Sequence, residues 1–186
     1  MFSSYERLLA KIDAHLRTLN ALGCPAGCDR CCRVSFTLFP VEALHLHTAF
    51  LRLPEKVRGR VLDKRTDGPG EECLFLLDHR CVLYQDRPVL CRTHGYPFLG
   101  RGGDGPDGWQ LAPGCEHAGG VDPAPAGREA GRLSALLLDP VNEMLVAVNR
   151  LFLAQAGLPG TSLDHRIPVA DIPLLRLRGD SGHASL

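Results

Sequence analysis

Apolar residues recur at helical spacing in several parts of the chain and alternate, more briefly, in others. In residues 3–22, Leu8, Ile12, Leu16 and Leu19 fall on one line, while Arg7, Lys11, Asp13 and Arg17 occupy other faces. That pattern predicts an amphipathic helix with Ser3 or Ser4 as N-cap. Gly23 and Pro25 end it, because glycine suits the left-handed position after a helix and proline cannot continue the turn. Residues 34–39 alternate for part of their length and predict a short strand. Pro40 suits the first turn of a helix carrying Val41, Ala43, Leu44 and Leu46 to about Leu51. Pro54 opens another, with Val57, Val61 and Leu62 as a modest stripe, and residues 66–70 form a turn-rich break.

Two short apolar runs then flank Asp78-His79-Arg80, which predicts a small hairpin with a cysteine near each end. Pro88 starts a short helix bearing Cys91 and Arg92. Residues 100–108 are rich in Gly, Pro and Asp and read as loop, residues 109–111 as a brief strand, and residues 116–127 as an open connection. Asp139-Pro140 begins the strongest later helix, with Val141, Leu145, Val148 and Phe152 in line and Gly157 at its end. This helix is expected to pack on the first one as an apolar floor. The fold expected is therefore a small, helix-rich α+β domain with irregular cysteine-bearing loops. Residues 1–158 form the domain, with a core motif over 23–115 and helices 3–22 and 140–156 beneath it. Residues 159–186 form an extended C-terminal segment ending in a loose tail.

Composition narrows the function more than the fold. The 186 residues carry 21 basic and 21 acidic side chains, so no broad electrostatic footprint for nucleic acid or anionic lipid is expected. No apolar run is long enough to span a bilayer, and the N-terminus lacks the features of a signal peptide, which predicts a cytoplasmic protein. In a reducing compartment the eight cysteines are expected to ligate metal rather than to pair as disulfides.

Four of the eight crowd into nine residues: Cys24, Cys28, Cys31 and Cys32. Cys73, Cys81, Cys91 and Cys115 follow. Thiolates are strong ligands for zinc and for iron–sulfur clusters, and close spacing lowers the entropy cost of assembling a site. Cys31 and Cys32 are neighbours whose side chains are expected to diverge, so two centres or one polynuclear cluster relieve the strain of a single small ion. Eight thiols also divide into two sets of four, the usual count for a zinc site or a [4Fe–4S] cluster. Tyr84, Arg87 and Arg92 could hydrogen-bond to, or lend positive charge to, a thiolate-rich centre; a structural salt bridge at Arg87 is the plainer alternative. His79, His94 and His117 lie near cysteines but are expected to be ordinary surface residues or outer neighbours of the site. His45 and His47, two apart on a helix, face different ways. The spacing Cys24-x3-Cys28-x2-Cys31 also occurs in radical S-adenosylmethionine enzymes, yet Arg30 stands where those carry an aromatic residue and no alternating β/α pattern follows.

Taken together, Cys24-x3-Cys28-x2-Cys31-Cys32 and the later Cys73…Cys81-x2-Tyr84-x2-Arg87-Pro88-x2-Cys91-Arg92, with Pro97-Phe98 beyond, resemble the YkgJ-type cysteine-cluster proteins. The resemblance covers roughly residues 23–115. It implies chelation of zinc or iron and, for some members, an iron–sulfur oxidoreductase. A related domain in flagellin lysine-N-methylases is the best enzymatic lead, although those enzymes are longer. Three functional expectations follow. The first is an iron–sulfur protein in redox or cluster-linked chemistry, working with a protein or redox partner. The second is a zinc-stabilised interaction module, and the third a methylase-like enzyme using S-adenosylmethionine.

Overall fold

The computed structural model describes residues 1–19, 28–66, 68, 72–101, 109–112, 115, 135–158 and 161–176. Its elements bear out a helix-rich α+β chain in which the strands are short. Two compact units share the sequence: Met1–Phe2, Gly27–Pro88 and Asn149–Leu186 form one, and Ser3–Ala26 with Val89–Val148 form the other.

The first unit is built on α2 (Pro40–Arg52). Pro40 presets the backbone of the first turn, and Phe39 before it is extended at φ −64° and ψ 152°, as a residue preceding proline prefers. The Glu42 carboxylate accepts the Phe39 N–H at 3.3 Å, satisfying a donor at the helix entrance. Nearly all of α2 is buried, polar residues included: Glu42, His45 and His47 lie inside with Val41, Ala43, Leu44, Leu46 and Phe50. The His47 Nδ1–H donates to the Ile172 carbonyl at 2.8 Å, so the buried ring has a partner.

Strand β1 (Thr37–Leu38) pairs antiparallel with β7 (Ile167–Pro168), and a 3-10 turn over Val169–Leu174 then packs on α2. Ile167, Val169 and Ile172 are all buried in the core of this unit, alongside Leu38, Phe50, Val61, Leu74 and Phe75. Residues 161–176, part of the expected extended C-terminal segment, thus supply core residues. Residues 177–186, expected as a loose tail, fall outside the described residues.

Helix α3 (Glu55–Thr66) follows α2 closely, and Val61 is its one fully buried side chain. The predicted hairpin is present as β2 (Leu76–Leu77) and β3 (Arg80–Cys81), with Leu76 opposite Cys81 and Leu77 opposite Arg80. Its two-residue turn places Asp78 at φ 49° and His79 at φ 60°. Two left-handed residues are what a type I′ turn demands, and Asp and His tolerate that region better than most.

In the second unit, α1 (Ser3–Leu16) packs along α4 (Val89–Thr93), and the Arg92 guanidinium meets the Asp13 carboxylate at 2.6 Å. The α-helix stops at Leu16, short of the expected residue 22. There the Thr18 hydroxyl and the Thr18 N–H both bond the His15 carbonyl, at 2.7 and 2.8 Å, which tightens the last turn. Strand β4 (Phe98–Arg101) lies between β5 (Trp109–Ala112), antiparallel, and β6 (Leu136–Leu137), parallel.

Helix α5 (Leu138–Gln155) contributes to both units, its residues up to Val148 belonging to the second and those from Asn149 to the first. Gly157 at φ 70° ends it, and the Leu158 N–H turns back to the Leu153 carbonyl at 2.9 Å. Among the described residues no helix is long and apolar enough to cross a membrane.

Candidate metal centre

Seven of the eight predicted ligands are described, and all seven are free thiols; Cys24 lies outside the described residues. Cys28, Cys31, Cys32, Cys73 and Cys81 belong to the first unit, Cys91 and Cys115 to the second.

Within the first unit two segments, residues 28–33 and 72–83, bring four thiols into one neighbourhood. Cys31 and Cys32 sit in a 3-10 turn over Arg30–Cys32. Their thiols hydrogen-bond to each other, and that bond, with burial, pushes Cys31 well above the usual thiol range. The side chains of these neighbours, expected to diverge, thus interact with each other across the turn.

Cys31 also lies within electrostatic reach of Cys73 and Cys81, and those two of one another. Cys73 is buried, and loss of water pushes its thiol up to about 11. Burial raises Cys81 as well. Two backbone amides oppose this trend: the Phe75 N–H points at the Cys73 sulfur and the Leu83 N–H at the Cys81 sulfur. In each case the donor lies two residues past the cysteine, so the local turn aims an amide at the atom that would carry negative charge.

Arg87 lies beside these thiols. Its guanidinium stacks 3.5 Å above the centre of the Tyr84 ring, and its Nε–H donates to the Tyr84 carbonyl at 2.9 Å. From there its charge favours the thiolate form of both Cys31 and Cys81. Tyr84 supplies the ring and carbonyl that hold Arg87. Arg92 lies in the second unit, where its guanidinium pairs with Asp13.

The two thiol-bearing segments are joined by contacts that involve no sulfur. The Cys73 N–H donates to the Cys32 carbonyl at 2.7 Å. Asp29, 9% exposed and inside the cysteine-rich loop, accepts the His79 Nδ1–H at 2.6 Å and the Arg33 guanidinium at 2.8 Å. Those two partners, His79 first, hold its carboxyl below the usual carboxylate range. Arg33 also meets Glu72 at 2.5 Å, and Lys64 bonds Glu72 at 3.2 Å, the Cys73 carbonyl at 3.1 Å and the Leu76 carbonyl at 2.9 Å.

Asp29, Arg33, Lys64 and Glu72 were not singled out by sequence. Only the i, i+4 spacing of Asp29 and Arg33 could have hinted at the ion pair, and that spacing is common. His79, expected as an ordinary neighbour, has an exposed ring whose Nδ1 nonetheless anchors the loop.

Of the remaining predicted ligands, Cys28 is half-buried at the start of the first segment. The Cys115 N–H donates to the Gly95 carbonyl at 3.1 Å, just past α4, which carries Cys91. His117 is outside the described residues. Among the described residues no three His, Cys, Asp or Glu side chains are already arranged around a metal-sized position. What the described residues do show is chemistry suited to thiolates: amides aimed at two of the sulfurs and a guanidinium whose charge reaches Cys31 and Cys81. Comparison with protein-family models, with curated proteins and with solved structures finds no match.

Proposed function

We propose that this chain is a cysteine-cluster metal-binding protein that carries a [4Fe–4S] cluster in redox or cluster-linked chemistry. The observation that carries the proposal is the gathering of Cys31, Cys32, Cys73 and Cys81 from two distant segments. Burial alone would make such thiols poor ligands, and the amides of Phe75 and Leu83 together with Arg87 offset that cost at the sulfurs. In this reading Cys31, Cys32, Cys73 and Cys81 form one ligand set. When bound, a cluster supplies one-electron chemistry or activates a bound ligand. Arg87, fixed on Tyr84, offsets the negative charge of the thiolates and so favours retention of the group. The resemblance of both cysteine motifs to the YkgJ-type family supports metal chelation.

A structural zinc site is the second reading, favoured by the burial of Cys73 and by the packing of Cys32 and Cys81 against the apolar core. Anaerobic purification followed by metal analysis and an absorption spectrum separates the two. The cluster reading expects iron and acid-labile sulfide with a broad visible band. Stoichiometric zinc with no visible band establishes the second reading instead. In either case Cys31→Ser and Cys73→Ser should lower the metal content, and unchanged content in both would remove this thiol set as the site.

A further inference from the structure

The contacts that join the two thiol-bearing segments imply how the site is loaded. We infer that the two thiol-bearing segments are joined before metal arrives, and that Asp29 is the positioning residue that ties them together. The inference rests on the metal-binding reading above, and it adds which non-ligand residue shapes the site and that the fold does not depend on the metal.

Three observations carry it. First, the bonds found between the segments among the described residues are made by backbone and by polar or charged side chains: the Cys73 N–H to the Cys32 carbonyl, His79 to Asp29, and Arg33 to Glu72, with Arg33 also on Asp29 and Lys64 of α3 also on Glu72. None of them needs a sulfur or a metal. Second, Asp29 cannot readily serve as a ligand itself. Its Oδ2 already accepts from both His79 and Arg33, and its Oδ1 faces the Arg33 Nε at 3.4 Å. Its place between Cys28 and Cys31 therefore acts through the loop. Third, the apolar core touches the thiol segments at Cys32, Cys73 and Cys81 and is completed by Leu74, Phe75 and Leu83, so both segments are also held by burial. A site in which metal does the folding would show the opposite: thiols converging from segments with few other ties.

Asp29 and His79 have a particular geometry that makes the inference testable. His79 sits at φ 60° in the hairpin turn, a conformation that asparagine and glycine both accept. Asn offers an amide N–H near the position of the imidazole Nδ1–H, whereas Gly offers none. The two substitutions therefore separate the hydrogen bond to Asp29 from the turn itself.

The test uses the full chain, stripped of metal under anaerobic reducing conditions and titrated with cobalt(II), whose thiolate charge-transfer absorption reports ligation by sulfur. The stripped wild-type protein should melt cooperatively. Asp29→Asn and His79→Gly should weaken cobalt binding by roughly 10- to 100-fold, the range seen when a partner that orients a ligand is removed. Saturating stoichiometry and the thiolate absorption should stay the same. His79→Asn should restore most of the affinity. Equal cobalt affinity in wild type and His79→Gly would overturn the positioning role, even where Asp29→Asn fails to fold. A stripped wild type that melts cooperatively only after cobalt is added would overturn the joining of the segments ahead of the metal. Wild-type protein that binds no cobalt through sulfur would instead remove the metal-binding reading on which the inference rests.

Discussion

The Val41 amide, in the first turn of α2, donates to the Asn149 side-chain oxygen at 3.2 Å, across 108 residues of sequence. The first amides of a helix have no partner within it, and here one of them is satisfied by a fully buried asparagine on α5. Asn149 thus caps α2 from outside its own segment.

Asn149→Ala would leave the Val41 amide buried and unpaired. The expected loss is about 1–3 kcal/mol, the cost of an unsatisfied buried donor. The Asn149 Nδ2, buried without a partner among the described residues, is removed by the same change and offsets part of the loss. Chemical denaturation of the metal-free protein measures the difference. Asn149→Ala as stable as wild type would show that Val41 finds another acceptor.

Arg87 and Arg92 look interchangeable in sequence and are expected to behave differently. Arg92→Gln breaks its pair with Asp13 and should lower stability by about 1–2 kcal/mol without altering metal content. Arg87→Gln should leave the melt nearly unchanged and weaken metal retention, because its charge lies beside Cys31 and Cys81. Metal analysis and denaturation on the same two variants check both halves. Reversed outcomes would move the electrostatic support of the thiols to Arg92.

His47 sets an acid limit on stability. Burial holds its imidazole below the ordinary value of 6.5, although the Ile172 carbonyl offsets part of that cost. A depressed folded-state value means the unfolded chain takes up the proton first. Its contribution is therefore complete above about pH 6.5 and lost as pH falls through the folded-state value. Denaturation midpoints should drop on acidification below 6.5 in wild type. His47→Gln, which keeps a donor for Ile172 and cannot titrate, should flatten that dependence; equal slopes in the two proteins would assign the acid sensitivity elsewhere.

Much of the local structure was legible from side-chain chemistry at the element ends. Pro40 marks the start of α2, Asp78-His79-Arg80 marks a hairpin turn, and Gly157 marks the end of α5, because each place calls for residues suited to its backbone. What escaped was long-range. Strands of two residues, such as Thr37–Leu38 and Ile167–Pro168, are too short for any alternation to declare them or their pairing. The thiol positions were readable because cysteine spacing is itself a signal. Asp29 was not, since a carboxylate in a polar loop looks the same whether it faces water or anchors a hairpin. The contact between the Cys31 and Cys32 sulfurs likewise depends on a 3-10 turn that spacing does not reveal.

The pairing of β1 with β7 also orders events during synthesis. Thr37 and Leu38 leave the ribosome long before Pro168 and Ile167, and α2 waits equally long for Asn149 to reach Val41. The first unit completes its core only with residues 167–172, a non-local closure of the kind that slows folding.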